Sequence, residues 1–556
     1  MNLKQLRSKL TQDYTIVAEI DLTHWYTVLP HLRENWVHDI LLKIHKDVYA
    51  DSDRIVFRLD NAQAYNSKNI LAADLLSSLQ LQLNDVDISN FFVIIISNDS
   101  IELPKALKWV SSQSIDPVPI TLMNYQDEST DYNYNSSDPI KVSLGDLMEN
   151  QKHLLTKSKS FCMYPWIHLH AYPTGQAYPC CMADMQYPLG SVRENTIKEI
   201  WNNDAMKQVR VNMIADQPNA ACHRCYEQEK YGFFSGRQSA NKHHGHHIDR
   251  IMDTKQDGTL EEFALTYWDI RFSNLCNLSC RSCGHIFSSS WHKDQSILAG
   301  PEWKKNNKVL NYAGRYATDV WEQLLEHIDH VEQIYFAGGE PLLMEEHYNI
   351  LDELDRRGRY DVRLIYNTNF THTQLKDRSV FDYWKKFDSV SVGASLDASG
   401  PRAEYIRKGT DWQVVEKNRI EMMQSCPDVD FYISPTLSIM NAWHLPDFHK
   451  DWVNRGLIKP QDLNVNILQD PAYYRADIAP NTYKDLLIAR FKEHIEWLKP
   501  QDQLLRATTG FESAINCLES NDNTNLIDTF WRKTHELDSI RNEKWDHYLP
   551  ELKALK

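Results

Sequence analysis

Short apolar runs and stretches of helical spacing alternate along most of the chain. Over residues 1–125, IVFRL at 55–59 and FFVIII at 91–96 have the length and β-branched content of buried strands. Between them, ILAADLLSSLQLQL at 70–83 spaces Leu and Ala along one helical face. IELPKALKWVSS at 101–112 predicts a second helix, and VPITLM at 118–123 another strand. Strands alternating with helices predict a small parallel α/β domain. It carries no Gly-rich phosphate loop and no cluster of titratable side chains.

A polar stretch at 126–158, with QDESTDYNYNSSDP at 126–139, reads as a linker. A Cys-rich segment at 159–238 follows, then a second linker at 239–262 containing SANKHHGHHIDR. Over 263–478 six strand-like runs alternate with helical patterns: TYWDIRFS, VEQIYFAG, VRLIYNTN, SVSVGASLD, VDFYISPTLS and LNVNILQD. Six such units predict a parallel sheet, open or partly closed as a barrel. From 479 to 556 the pattern is helical, most clearly in KDLLIARFKEHIEWL.

Composition is that of a chain that buries real cores, with 42% hydrophobic and 24% charged residues. The longest apolar run, Phe91 to Ile96, is far shorter than the ~20 residues that cross a bilayer. Met1 leads into polar NLKQLRSKLTQDY without a secretory apolar core, so the expected location is the cytoplasm, with no membrane partner. A net charge of −16 disfavours bulk nucleic acid as a partner. Disulfides are rare in a reducing compartment, so clustered cysteines point to metal or redox chemistry. Eight of the ten cysteines fall between Cys162 and Cys283. Cys426 and Cys517 stand apart and read as ordinary buried thiols.

RFSNLCNLSCRSCGH places Cys276, Cys280 and Cys283 just after a predicted strand. Three thiolates on one short loop can hold an iron–sulfur cubane and leave its fourth iron open to a small molecule. The alternative is tetrahedral zinc, with His285 as fourth ligand. FAGGEP at 336–341 follows the next predicted strand. Gly338 and Gly339 let a ligand approach the backbone, and Glu340 can accept hydrogen bonds from an ammonium group. Together the cysteine loop and GGEP resemble the radical S-adenosylmethionine (SAM) superfamily over roughly residues 263–470.

That resemblance implies a partial (β/α)6 barrel and assigns further cofactor-binding positions at strand ends. NTNF at 367–370 is similar to the family's third-strand element, with Asn369 as a cofactor contact and Phe370 where a glycine is usual. SLD at 395–397, followed by EYIRKGTDW, resembles the fourth-strand element, placing Ser395 and Arg407 near the cofactor's ribose and carboxylate. PTLSIMN at 435–441 occupies the position that borders adenine. The chain departs from the family at Ser282, where an aromatic residue is usual.

The second thiol group comprises Cys162, Cys180, Cys181, Cys222 and Cys225. Its bland reading is a structural zinc. The pattern Cys, then Gly-x-x-x-x-Cys from Gly175, then LG and IWN, then Cys-x-x-Cys resembles the SPASM/twitch extension, here placed before the barrel. The resemblance implies one auxiliary cluster held by Cys162, Cys180, Cys222 and Cys225. Cys180 and Cys181 compete for one position, and the spacing from Gly175 favours Cys180. HHGHH at 243–247 reads as an exposed polar linker.

The whole resemblance implies an enzyme with two [4Fe–4S] clusters and S-adenosylmethionine, supplied with electrons by a reductase, flavodoxin or ferredoxin. It would cleave the cofactor reductively to a 5′-deoxyadenosyl radical that abstracts hydrogen from a peptide or protein. Radical modification of a small metabolite or carbohydrate is the alternative within enzymology. A zinc-stabilised binding protein on a degenerate barrel is the alternative outside it.

Overall fold

In the computed structural model the described residues are four amino-terminal strands and residues 149–230, 235–502 and 505–555. The four strands are β1 (Thr15–Asp21), β2 (Asp53–Leu59), β3 (Phe92–Ser97) and β4 (Ile120–Asn124), and they form one parallel sheet in that order. The IVFRL, FFVIII and VPITLM runs supply β2, β3 and β4; the strand at Thr15–Asp21 had no counterpart among the expectations. The helices expected over 70–83 and 101–112, and the linker over 126–148, lie outside the described residues.

The chain divides into two units, one of residues 1–167, 182–184 and 207–261, the other of 168–181, 185–206 and 262–556. The segment 159–238, expected as one domain, is therefore split. Strand pairing explains the second unit's share. β5 (His170–Ala171) pairs antiparallel with β6 (Gln176–Tyr178), which pairs antiparallel with β7 (Gly190–Ser191). β5 also pairs parallel with β8 (Tyr267–Ile270), so this small meander extends the main sheet of its unit.

In the first unit, residues 239–251 are not a linker. Ser235 and Gln238 form a capping box that starts a helix at Gly236–His244, and a 3-10 helix continues over Gly245–Ile251. Asn241 fixes this helix by accepting from the Met163 backbone at 3.0 Å and donating to the Phe161 carbonyl at 3.1 Å. His244, inside the HHGHH run, is 4% exposed, so the expectation of an exposed tract is corrected there.

The second unit is built on β8, β10 (Gln333–Phe336), β11 (Arg363–Thr368), β14 (Val390–Ala394) and β16 (Asp430–Ile433), all parallel neighbours. The fifth run breaks at Pro435 and resumes as β17 (Thr436–Leu437), which pairs parallel with β18 (Asn466–Ile467). A bridge from Ile433 to Leu463 brings the sixth run alongside the fifth. Two minor antiparallel pairs complete the set, β12 (Gln374–Leu375) with β13 (Arg378–Ser379) and β9 (Ser279–Cys280) with β15 (Arg407–Lys408).

Period-two alternation gives this sheet two different faces. Ile334, Phe336, Leu364, Tyr366, Phe431 and Ile433 are buried. Helix Glu345–Arg357 covers part of that face, with His347 against Phe336 (ring centroids 4.7 Å) and its Nε2 3.0 Å from the Tyr366 hydroxyl. The alternate positions carry Tyr335, Asn367 and Tyr432, and the Asn367 amide donates to the Tyr335 hydroxyl at 2.5 Å. The loops that follow β8, β10, β11 and β14 all leave the same end of the sheet, because the strands are parallel. Among the described residues no helix is long and apolar enough to cross a membrane.

Candidate active site

The cysteine loop begins directly after β8. The Ser289 hydroxyl accepts from the Cys276 backbone at 3.1 Å, and the Ser290 hydroxyl donates to the Cys276 carbonyl at 2.7 Å. The Trp291 indole donates to the Cys280 carbonyl at 2.7 Å, and the Cys283 amide reaches back to the same carbonyl at 3.0 Å. β9 and β15 place Cys280 opposite Arg407, whose guanidinium comes within 3.9 Å of the Cys280 sulfur. The three thiols are close enough to oppose one another's ionisation: burial first, and then Cys280, Glu340 and Cys283, raise Cys276. Cys283 is pushed up to about 12 by burial and Cys280. Three clustered thiols that resist ionisation as free groups are suited to a metal that displaces their protons.

Arg281 clamps this loop from beneath. Its guanidinium is 1% exposed, lies 3.7 Å from the Tyr405 ring centroid, and bonds Asp538 at 2.5 Å and Glu543 at 2.7 Å. Arg541 donates to the Ser279 carbonyl at 2.6 Å and to Asp294 at 2.9 Å. The carboxy-terminal helix Ile527–Arg541 thus supports the cysteine loop, a role its sequence did not announce.

GGEP lies against the same loop. The Glu340 amide donates to the Leu275 carbonyl at 2.7 Å. Gly339 has φ 53, and a Cβ there would fall 2.3 Å from the Leu275 oxygen, so only glycine fits. Glu340 is 1% exposed. Its carboxylate accepts from the Thr368 hydroxyl at 2.6 Å, the Leu342 amide at 3.1 Å and the Asn369 amide at 2.7 Å. All three donors are neutral, and burial raises Glu340 to about 7 against their pull. The charge of Arg407 also favours the ionised carboxyl, without a direct hydrogen bond to it.

The remaining expected positions gather at the same strand ends. Asn369 donates to Asn277 at 2.9 Å and lies 3.9 Å from the Cys276 sulfur. The Ser395 amide donates to the Thr368 carbonyl at 2.7 Å. Arg407 is not free for a ligand carboxylate alone: it makes a two-point contact with Asp397, at 2.7 and 3.0 Å. Asp397 also accepts from the Thr436 amide at 2.8 Å, which ties the SLD element to PTLSIMN. Asp397 stood inside the quoted motif without a role; its partner on a neighbouring turn is what sequence spacing did not reveal.

Phe370 takes the left-handed backbone, φ 58, that glycine would adopt without strain, and is fully buried against Phe431 at 5.2 Å. Phe370→Ala removes the ring and keeps the strained backbone, at a cost of about 3–5 kcal/mol. Phe370→Gly empties one carbon more but relieves the strain, so it should be the more stable of the two by up to about 1 kcal/mol. Denaturation midpoints of the two variants check this; equal midpoints, or a more stable alanine variant, contradict it.

The second thiol group is sorted by the fold. Cys162, Cys222 and Cys225 lie in the first unit, where the last two raise the first after burial. Arg237 holds that neighbourhood, donating to the Phe161 carbonyl at 2.8 Å and pairing with Glu229 at 2.5 Å. A Cβ on Gly236 would lie 3.8 Å from the Cys225 sulfur, so the helix start passes beside the thiols. Cys180 and Cys181 belong to the stretch 168–181 of the second unit. There Cys181 faces Asp269 and Arg271, and burial pushes it up to about 12.

Residues 162–226 match SPASM, an iron-sulfur cluster-binding domain. The SPASM segment therefore covers all five thiols of the second group. No curated protein matches the chain in sequence. Among solved structures, native anSMEcpe with bound AdoMet is 22% identical, with a TM-score of 0.27, over 42% of this chain and 60% of that one. The hexahistidine-tagged form with bound AdoMet gives 22% identity and a TM-score of 0.30 over the same shares. Native anSMEcpe with bound AdoMet and Cp18Cys peptide gives 19% and 0.27, over 41% of this chain and 58% of that one. The chain thus spans 58–60% of the length of these structures, and TM-scores this low do not establish a common fold.

Proposed function

We propose that the chain is a radical SAM enzyme that acts on a peptide or protein, using one [4Fe–4S] cluster at Cys276, Cys280 and Cys283 and a second in the SPASM segment. The observation that carries this reading is the meeting of the three-thiol loop, across the Leu275 carbonyl, with a buried Glu340 whose direct hydrogen bonds all come from neutral groups. A reduced cluster supplies the electron that cleaves S-adenosylmethionine to methionine and a 5′-deoxyadenosyl radical.

The residues present fit that cofactor. Glu340 offers a carboxylate to its ammonium, and Gly338 and Gly339 let the turn pack closely on Arg271 and on the Leu275 carbonyl of the cysteine loop. Asn369 and Ser395 lie at the next two strand ends, and the Arg407–Asp397 pair keeps a guanidinium beside Cys280. The parallel sheet supports the partial-barrel reading, in which these strand ends form one rim. An iron–sulfur domain in the same chain supports a redox role on a substrate radical, and a peptide substrate is proposed from the resemblance to SPASM-bearing enzymes. A reductase, flavodoxin or ferredoxin is the proposed low-potential electron donor, and the cytoplasm, where clustered thiols stay reduced, the proposed compartment.

Cys162, Cys222 and Cys225 are the ligands proposed for the second cluster, with Cys180 as the fourth on family spacing alone. Cys181 is left out of the proposed set because its thiol is turned to Asp269. Iron counts on single variants test this. Cys181→Ala should keep all the iron and Cys180→Ala should lose up to half; the reverse pattern overturns the assignment.

A further inference from the structure

The cysteine loop runs directly into a segment whose solvent face is both apolar and basic. The Cys283 sulfur is 3.8 Å from the Gly284 carbonyl oxygen, and a Cβ on Gly284 would meet nothing within 4 Å. The loop is open to its surroundings at that point. Ile286 and Phe287, just beyond it, are exposed.

Residues 285–311 are fastened to the loop as one block. The Asn274 side-chain amide donates to the His285 carbonyl at 2.9 Å and to the Val309 carbonyl at 3.2 Å, and its oxygen accepts from the Asn311 amide at 2.8 Å. Trp303 packs against His285 (ring centroids 4.8 Å) and His292 (5.2 Å). Nε2 of His292 lies 3.0 Å from the Asn307 carbonyl oxygen. Trp291, which bonds the Cys280 carbonyl, is the first residue of helix Trp291–Ala299. That helix and the short helix Pro301–Asn306 are therefore held in place against Cys276, Cys280 and Cys283.

What this block shows to solvent departs from the balance of the chain. Ile297 is 56% exposed and Val309 53%, and Leu298 is exposed as well. Lys293 lies one helical turn before Ile297 and shares its face. Lys304, Lys305 and Lys308 are also exposed. None of these four lysines has an ion-pair partner among the described residues. The only carboxylates within 284–312 are Asp294, bound by Arg541, and Glu302. The segment is thus net positive on a chain of net charge −16. Grouped apolar side chains with a charged surround mark an interaction surface, and lysines that neutralise nothing in the protein can steer an acidic partner onto it.

Building on the radical SAM reading, we propose that the surface from Ile286 to Val309 docks a small acidic one-electron carrier protein that feeds the cluster site at Cys276, Cys280 and Cys283. One electron leaves the reduced carrier and is taken up at that site, and no bond forms or breaks. Such encounters are transient and bury less than about 1,200 Å², which a patch of this kind can supply.

Flavodoxin is the probe, an acidic carrier of this class; photoreduced deazariboflavin, small and uncharged, is the reductant that needs no docking surface. Lys304→Glu, Lys305→Glu and Lys308→Glu combined should weaken flavodoxin binding roughly tenfold or more at low salt and slow its bleaching of the cluster absorbance to match. Iron content and reduction by deazariboflavin should be unchanged. Ile297→Glu should also weaken binding, and high salt should erase most of the difference between the lysine variant and the unaltered protein. A control of equal charge change, Lys417→Glu, Lys492→Glu and Lys499→Glu, alters exposed lysines of other segments and should bind flavodoxin normally. No flavodoxin binding by the unaltered protein, full binding by the lysine variant, or equal weakening in the control overturns the surface. So does a dimer of the chain that Ile297→Glu dissociates, since a second copy then covers this face. Calorimetric titration of oxidised flavodoxin reads docking without any cofactor cleavage. Protein that docks flavodoxin through these lysines yet releases no 5′-deoxyadenosine with deazariboflavin therefore contradicts the radical SAM reading and leaves the surface standing.

Discussion

Cys276→Ala, Cys280→Ala and Cys283→Ala combined should remove about half the bound iron and all cleavage of S-adenosylmethionine. The fraction follows from two separate thiol groups, each expected to carry one cubane. Cys162, Cys222 and Cys225 are folded in the first unit, with their own support from Arg237, so their iron should survive. The loop should survive too. Its shape rests on Arg281 with Asp538 and Glu543, on Trp291, and on the Ser289 and Ser290 hydroxyls, none of which needs the thiols. Iron and sulfide analysis of the triple variant checks this. Loss of all iron, or of none, contradicts two independent sites, and residual cofactor cleavage contradicts the assignment of the reacting cluster to this loop.

Glu340→Gln should weaken S-adenosylmethionine binding roughly ten- to hundredfold while leaving the iron content unchanged. A hydrogen bond to a charged partner is worth about 1.5–3 kcal/mol, and each 1.4 kcal/mol is a factor of ten. Glutamine keeps the side chain's size and loses the charge together with one of the two oxygens that accept from Thr368, Leu342 and Asn369. Glu340→Ala adds a second cost, because those donors are then buried without an acceptor. It should bind the cofactor no better than the glutamine variant and be less stable. Equilibrium dialysis of anaerobic, cluster-loaded protein measures the affinity; an unchanged value for Glu340→Gln refutes the proposed ammonium contact.

The parts of this site that sequence made legible are those whose chemistry is local. Cys276, Cys280 and Cys283 sit on one loop, and Gly338, Gly339 and Glu340 on one turn, so spacing alone brings each set together. Apolar runs of five or six residues announced β2, β3, β11 and β14. The strands of the IHLH and QAY segments are not legible in the sequence because two or three residues carry no periodicity, and the pairing of β5 with β8 is non-local. Most of the helix at Gly236–His244 falls in the expected linker at 239–262 because its sequence is rich in His, Asn and Lys, although Ser235-x-x-Gln238 is a capping signal. Arg407 was carried to the cofactor by motif, while its bonds to Asp397 depend on how two turns meet in space. Phe370 departs from the family's glycine in sequence yet keeps the left-handed backbone, held by burial of its ring.

Reductive cleavage of S-adenosylmethionine is the activity on which the whole reading stands, and it needs no knowledge of the substrate. Anaerobically prepared protein carrying roughly eight iron and eight sulfide per chain, the content of two cubanes, is reduced and mixed with the cofactor. The account predicts 5′-deoxyadenosine and methionine in equal amounts, absent without reductant and absent in the variant lacking Cys276, Cys280 and Cys283. Fully loaded, reduced protein that binds the cofactor and releases neither product would contradict it.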